Sequence, residues 1–199
     1  MRSSTNAEDL PSFSGAGLYS SYGAQLGTSD PPSKRVCKTW ASVWNWQAFE
    51  ERAFWNIDHM AVRMGVAVHQ AFPDEQANGV LITQNIGDPL TRGIYVNAQL
   101  GETSVTNPVG GAIPEIFVIT PGPTGVQVAR LRFSSLSPDA PLLSDDEVRA
   151  LYQAATTTQQ HFAPLYDEPA DLLALDIEWK LHGPERALFF KQVRPYRSE

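Results

Sequence analysis

The residues best suited to chemistry lie in the last two segments with strand character. The sequence D-I-E-W begins at Asp176, and Q-V-R-P begins at Gln192. Side chains alternate between the two faces of a strand, so Asp176 and Glu178 share one face and lie about 7 Å apart. If Glu178 pairs with Gln192 in a hairpin, then Asp176 pairs with Arg194. Carboxylate and amide oxygens suit Mg²⁺, and a guanidinium binds phosphate bidentately, so this face predicts a site for a magnesium-bound polyphosphate.

The opposite face of the same hairpin is apolar. In the first strand it consists of Leu175, Ile177, Trp179 and Leu181. In the assumed register Phe189 lies beside Leu181, and Val193 lies beside Ile177. That register requires an odd loop near residues 183–187 or a β-bulge. The alternative interpretation of the polar face is a solvated network of salt bridges, which is common on proteins.

Composition and charge narrow the function classes. The chain has 199 residues, 42% of them hydrophobic, and a formal net charge of −7. Nucleic-acid backbones require a basic surface, so the acidic balance argues against nucleic acid as the main partner. No apolar run approaches the roughly 18 residues of a membrane-spanning helix, and no signal peptide is recognised, which predicts a cytoplasmic protein without a membrane partner. The single cysteine, Cys37, cannot form an intrachain disulfide and is predicted to be buried in a helix.

Hydrophobic periodicity predicts an α+β fold with a mostly antiparallel sheet, packed helices and a C-terminal β-hairpin. Helical spacing extends from about residue 33 to about residue 56, where Trp40 and Trp44 are expected to pack in the core. Ser144 and Glu147 form a capping box that begins another helix, and Pro164 is expected to end it. Strand character is found at residues 17–23, 61–72, 79–83, 93–99, 114–120, 126–133 and 175–196.

Three other segments contain candidate binding residues. Arg2 precedes several hydroxyls and an acidic turn, a combination able to hold an anion. Glu102 follows a glycine turn at the end of a strand, where its carboxylate could meet a ribose hydroxyl or a metal's water, or could simply lie in solvent. The apolar strand that ends at Gln70 could border an adenine edge, or it could be an inner strand of the sheet.

Five motifs occur in order along the chain. They begin at Arg2 (R-S-S-T-N-A-E-D-L-P), Gly15 (G-A-G-L-Y), Trp40 (W-A-S-V-W-N), Asn97 (N-A-Q, with G-E at 101–102) and Asp176 (D-I-E-W, with Q-V-R-P from 192). This set resembles the nucleotide-binding domain shared by phosphoenolpyruvate synthase, pyruvate phosphate dikinase and the starch (glucan) water dikinases, a relative of the ATP-grasp domains. The resemblance extends over nearly the whole chain, and five ordered motifs are far more specific than any one of them.

The resemblance implies that ATP and Mg²⁺ are the ligands. The ATP-binding residues that it implies are Arg2, Gln70, Glu102, Asp176, Glu178, Gln192 and Arg194. Arg2 and Arg194 would act in catalysis by contacting the triphosphate, and Glu178 and Gln192 would hold Mg²⁺. Asp176 would support these groups or the metal's waters. Phosphoryl transfer depends mainly on positioning and charge neutralisation, so the ATP side of the reaction needs no nucleophile from this chain.

The family's reaction also implies partners. Its ATP-binding domain phosphorylates a histidine on a separate swivelling domain, which carries the phosphoryl group to pyruvate or a glucan. Because the chain begins on the arginine motif, we expect residues 1–199 to be the C-terminal part of a dikinase-type, ATP-grasp-like domain. The upstream lobe, the phosphohistidine domain and the pyruvate domain would be supplied in cis or in trans, and phosphotransferase activity would need them. The alternative is a truncated, non-catalytic module that binds ATP or a protein partner.

Overall fold

The computed structural model describes residues 1–10, 13–15, 17–71, 74–103, 105 and 109–196. By its contacts the chain divides into two units, Met1–Ala71 and Phe72–Glu199. Pro11 and Ala16 of the quoted motifs, and Phe72 in one predicted strand, lie outside the described residues. Within the described ranges, no helix combines the length and apolar character that crossing a membrane requires.

The first unit combines short strands with two consecutive helices. Its elements are β1 (Arg2–Thr5), β2 (Asp9–Leu10), β3 (Phe13–Ser14), α1 (Pro32–Ala41), a 3₁₀ turn (Ser42–Trp44), α2 (Trp46–Phe54) and β4 (Met64–Ala67). Strands β1 and β4 pair antiparallel, as do β2 and β3. The predicted strand at 17–23 is wrong, since turns and irregular backbone occupy those residues.

The helical segment of the first unit differs from the prediction in its continuity and in its buried face. The backbone becomes extended at Asn45 (ψ 140°), which separates α1 and the 3₁₀ turn from α2. The expectation that Trp40 and Trp44 pack in the core is wrong, because they are 52% and 55% exposed. Cys37 is likewise exposed, although it lies in α1 as expected.

A buried arginine takes the place that the tryptophans were expected to fill. The guanidinium of Arg52 is inaccessible to solvent and donates hydrogen bonds to the Val43 carbonyl (2.6 Å), the Tyr19 hydroxyl (3.3 Å) and Nδ1 of His59 (3.3 Å). These neutral acceptors satisfy a charge that would otherwise be costly to bury. The inner face of the helices is therefore lined by small residues and one satisfied arginine, and the large aromatic rings point outward.

The second unit is built on a six-stranded antiparallel sheet, which confirms the predicted α+β class. Its strands are β5 (Glu75–Ile82), β6 (Ile94–Leu100), β7 (Glu115–Gly122), β8 (Gly125–Arg132), β9 (Leu175–His182) and β10 (Ala187–Pro195). Their order across the sheet is β10-β9-β5-β6-β7-β8. The C-terminal hairpin thus joins the sheet beside β5, about 100 residues earlier in the chain, so its position depends on long-range pairing.

One face of this sheet carries the core and packs against helix α3 (Asp145–Tyr166). The buried cluster joins sheet residues such as Leu81, Phe117 and Ile177 to Val148 and Leu151 of the helix. Burying a side chain of this kind contributes roughly 1.5–3 kcal/mol. The helix therefore covers the core face of the sheet.

Helix α3 begins as predicted and ends later than predicted. The Ser144 hydroxyl accepts from the Glu147 amide (3.3 Å), and the Glu147 carboxylate accepts from the Ser144 amide (2.7 Å), so the capping box is confirmed. The expectation that Pro164 ends the helix is wrong, because α3 continues to Tyr166. A proline so near the C-terminus costs only one late amide bond, and Asp167 then adopts a left-handed conformation (φ 54°) that terminates the helix.

Candidate functional site

The C-terminal hairpin has the register that the sequence predicts for its polar face. Glu178 pairs with Gln192, and Asp176 pairs with Arg194. All four side chains are half-buried, while Ile177 and its apolar neighbours on β9 are buried against α3. The alternation of β9 therefore divides the strand into a core face and a polar face, and the acids, the amide and the guanidinium lie together on the polar face.

A β-bulge at Lys191 makes this register possible, and it also corrects one prediction. Before the bulge Phe190 pairs with Trp179, and after it Gln192 pairs with Glu178, so Lys191 is the extra residue. The expectation that Phe189 lies beside Leu181 is therefore wrong. Phe189 pairs with Lys180 and is 38% exposed. The predicted pairs hold from Gln192 to the end of the strand, and the pairs before Lys191 are shifted by one residue. The sequence does not show where along the strand this shift occurs.

Asp176 and Arg194 form an ion pair across the hairpin. Oδ2 of Asp176 accepts from Nε of Arg194 at 2.9 Å and from Nη2 at 2.8 Å. Both nitrogens bind the same oxygen, and Oδ1 is buried without a hydrogen-bond partner among the described residues. A buried acceptor in this state is costly unless a donor reaches it. Asp176 thus holds the guanidinium in place and retains one oxygen for a further donor.

A second group of charges lies further along the same face of β9. Nζ of Lys180 is 3.0 Å from Oε1 of Glu75, and Nζ of Lys191 is 3.7 Å from the same oxygen. Sequence reasoning missed Glu75 because its position depends on the pairing of β5 with β9. One signal was available in the sequence. Lys180 shares a strand face with Glu178, and a lysine that is buried on that face needs an acidic partner nearby.

The polar face continues from the hairpin into the centre of the sheet. Glu178 pairs with Val80 of β5, and Val80 pairs with Asn97 of β6. Directly paired residues point to the same side of a sheet. Gln192, Glu178, Val80 and Asn97 therefore form one row across four strands, which we call the Glu178 row.

The structure does not bring Glu102 beside this row. Glu102 is exposed in the turn after β6, five residues beyond Asn97 and beyond the last strand residue, Leu100. The turn is held by Asn78, whose side-chain amide donates to the carbonyls of Gly101 (2.7 Å) and Thr103 (2.9 Å). Glu102 therefore lies outside the strand that carries Asn97, and its contact with a nucleotide stays a prediction.

Arg2 and Gln70 belong to the first unit. Arg2 is half-buried at the start of β1, opposite Ala67 of β4. Gln70 is exposed and follows the end of β4 by three residues, so the predicted strand to residue 72 is too long. The contacts of these two residues with a nucleotide stay predictions.

A cavity of about 800 Å³ in the second unit is on the other side of the sheet. Its lining includes Tyr152, Thr156 and Gln159 of α3, the helix that covers the core face. It is therefore separate from the Glu178 row. The four residues of the row are half-buried, so a ligand bound there would still need further cover to exclude water.

Residues 1–120 match the family described as pyruvate phosphate dikinase, AMP/ATP-binding domain. This chain belongs to that family. A probable phosphoenolpyruvate synthase of Pyrococcus horikoshii is 30% identical over 98% of the chain and 25% of its own length. A rifampicin phosphotransferase from a Streptomyces species is 28% identical over 91% of the chain and 21% of its own length. The chain thus spans about a quarter of the length of these curated relatives.

The family match and the longer alignments cover different parts of the candidate site. Arg2, Gln70 and Glu102 fall within the matched AMP/ATP-binding region. The hairpin lies beyond residue 120, where the similarity to the Pyrococcus horikoshii relative continues. The chain is therefore similar to phosphoenolpyruvate synthases over the hairpin as well, and it carries a dikinase ATP-binding region.

The donor set of the Glu178 row fits magnesium better than a metal that requires a full protein cage. Among the described residues no group of three or more His, Cys, Asp or Glu side chains could hold a metal ion. Glu178 and Gln192 supply one carboxylate and one amide oxygen from paired positions. Mg²⁺ is commonly bound through one or two carboxylates while phosphates and water complete its octahedron. These residues therefore fit a metal that arrives with a nucleotide.

Proposed function

We propose that residues 1–199 form the C-terminal part of a dikinase-type, ATP-grasp-like domain, and that its C-terminal hairpin binds Mg·ATP. The observation that carries the proposal is the hairpin register, in which Glu178 faces Gln192 and Asp176 faces Arg194. Membership of a family whose domain binds AMP or ATP supports the choice of ligand.

Each residue of the hairpin has a distinct part in this proposal. Arg194 binds phosphate oxygens, and Asp176 positions its guanidinium through the two hydrogen bonds to Oδ2. Glu178 and Gln192 hold the metal that accompanies the nucleotide. When bound, Mg²⁺ supplies neutralisation of the phosphate charge. Oδ1 of Asp176 accepts from a water or a ligand donor and so relieves its unsatisfied burial.

The other predicted contacts rest on the resemblance. Arg2 would contact the triphosphate, Glu102 the ribose or phosphates, and Gln70 the adenine edge. The phosphoryl acceptor would be a histidine on a partner domain, from which the group passes to pyruvate or a glucan. The relatives are about four times as long as this chain, which leaves ample length for an upstream lobe and a phosphohistidine domain. We assign this activity to the cytoplasm.

Calorimetric titration of Mg·ATP into the 199-residue chain tests the hairpin site. Glu178→Gln keeps the shape of the side chain and removes its charge, and it should weaken binding by about 2–4 kcal/mol, the usual cost of losing such an electrostatic anchor. Glu185→Gln is the matched control, because Glu185 is exposed in the turn of the same hairpin. Equal affinities for the Glu178 variant and the wild type would reject the site assignment.

A parallel titration tests whether an added protein segment shields a nucleotide bound at the row from water. The upstream segment of the Pyrococcus horikoshii relative, supplied in trans, should tighten binding of Mg·ATP to the wild type. Excluding water lowers the effective dielectric constant and strengthens each charged contact. If Mg·ATP binds neither to the chain alone nor to this mixture, the proposal fails.

A non-catalytic interaction module is the second candidate, and exposed aromatic surface in the first unit favours it. Trp40, Trp44 and Met60 are more than half exposed and surround a shallow depression of about 330 Å³. Contiguous apolar surface of this kind marks protein contacts. Size-exclusion chromatography with the same upstream segment distinguishes the two candidates. A complex that forms without nucleotide and survives Glu178→Gln favours the module, whereas dependence on Mg·ATP favours the first candidate.

A further inference from the structure

The Glu178 row ends on a side chain for which the proposed function has no role. Asn97 lies in β6, two strands from Glu178, with Val80 between them. Neighbouring strands are about 4.8 Å apart, so the two positions are separated by roughly 10 Å. Asn97 is half-buried on the same face as the acid.

The amide of Asn97 differs from the other amides on this part of the face. Asn78 uses its amide to hold the turn at Gly101. Gln99 is fully buried, and its amide binds the Ile113 carbonyl and the Ser134 hydroxyl. Across the ranges that the structure describes, the Asn97 side chain has no hydrogen-bond partner. An amide with a donor and an acceptor therefore lies available on the face that carries the acid.

The surroundings of Asn97 suit the nucleoside half of a nucleotide. Val80, on one side of it in the row, is half-buried and apolar, as is Ile116 on the other side. Tyr95 is two residues earlier on the same strand, so its half-buried ring lies on the same face. Small-molecule sites commonly combine such an apolar floor with a few polar groups that fix orientation.

We infer that the Asn97 amide hydrogen-bonds a ribose hydroxyl of the nucleotide bound at Glu178, an inference that rests on the proposed function. The triphosphate chain separates the ribose from the metal, so a nucleotide whose phosphates lie at Glu178 and Gln192 extends across Val80 to Asn97. A hydroxyl both donates to Oδ1 and accepts from Nδ2 of an amide. Asn97 then determines specificity for a nucleoside triphosphate that carries ribose hydroxyls.

Binding of Mg·ATP and Mg·2′,3′-dideoxy-ATP to the 199-residue chain tests this contact. The wild type should bind ATP about threefold to tenfold more tightly than the dideoxy analogue, as one net hydrogen bond predicts. Asn97→Ala should bind both with the weaker affinity. Gln127→Ala, an exposed amide on the same face of β8, should keep the wild-type preference. Asn97→Asp retains an acceptor for the hydroxyl and should retain a preference for ATP if the alanine variant is unstable.

The outcomes separate this inference from the proposed function. A wild type that binds both triphosphates equally well overturns the inference, as does an Asn97→Ala variant that keeps the preference for ATP. In either case the proposed function stands if Glu178→Gln still weakens both ligands. If neither triphosphate binds to the wild type, the proposed function fails and the inference with it.

Discussion

Gly79 offers the most direct test of the packing beneath the Glu178 row. It lies in β5, where it pairs with Ala98 of β6 on one side and with Trp179 of β9 on the other. A Cβ at this position would be 2.3 Å from the Asn97 carbonyl oxygen and 2.4 Å from the ring of Trp179. Neither can yield easily, because one is sheet backbone and the other is a fully buried indole. Gly79→Ala should therefore cost about 3 kcal/mol, the upper end of the usual cost of overpacking.

Urea unfolding measures this cost. With a denaturant slope of about 1.5 kcal/mol/M, a loss of about 3 kcal/mol lowers the unfolding midpoint by about 2 M. Gly87→Ala is the matched control in the same unit, because its Cβ would meet only ordinary contacts from 3.4 Å. In a Trp179→Leu background, Gly79→Ala should cost at least about 1 kcal/mol less, since the ring is gone. An unchanged midpoint for Gly79→Ala, or strict additivity in the double variant, would refute the packing described here.

Three other predictions concern charges and backbone in the second unit. Glu75→Ala removes the carboxylate beside the nearly buried amine of Lys180 and should lower the free energy of unfolding in urea by about 2 kcal/mol. In the same measurement Lys180→Met should be close to neutral, because the Glu75 carboxylate keeps a partner amine, Nζ of Lys191 at 3.7 Å, and no charge is left unpaired in the interior. Burial opposes the ionisation of Glu147, but the hydrogen bond from Arg186 helps to outweigh it and holds the pKa of Glu147 below its ordinary value. The folded pKa is the lower one, so the stabilisation is complete above the ordinary pKa of about 4.3 and is lost as the pH falls through the folded value. Urea melts at pH 7 and pH 3 should show that Glu147→Gln loses this part of the acid sensitivity, and the idea fails if the variant keeps it. Pro164→Ala restores an amide to the last turns of α3 and should raise the urea midpoint by an amount that corresponds to about 1 kcal/mol, and no change would contradict its place inside the helix.

The polar face of the hairpin could be predicted because local alternation determines it. Ile177 and Trp179 must be buried, so Asp176 and Glu178 must lie on the opposite face, and a pairing of Glu178 with Gln192 carries Arg194 to Asp176. The position of the bulge could not be predicted, because the alternation of polar and apolar residues does not show which residue of the second strand is the extra one. Phe189 was therefore assigned to the wrong face.

The remaining errors arise where tertiary contacts outweigh local pattern. Trp40 and Trp44 have core-like spacing, yet a large side chain that is fully buried in their unit is that of Arg52, which donates a hydrogen bond to Tyr19, 33 residues earlier in the chain. The row from Glu178 to Asn97 could likewise not be predicted from the sequence, because it exists only if β5 lies between β9 and β6 in the sheet. Long-range pairing of this kind leaves no periodic signal in the sequence.

The bulge at Lys191 allows a change of length without a change of partners. Removing that residue would bring Gln192 directly after Phe190, where the regular ladder already assigns it to Glu178. The hairpin can therefore lose one residue at this point while every pair towards its C-terminal end is preserved. The only charge that the deletion would remove is the ammonium group of Lys191, which lies 3.7 Å from the Glu75 carboxylate. A single deletion here would thus remove one positive charge near Glu75 and keep the register, whereas a deletion elsewhere in the strand would move the following side chains to the opposite face of the sheet.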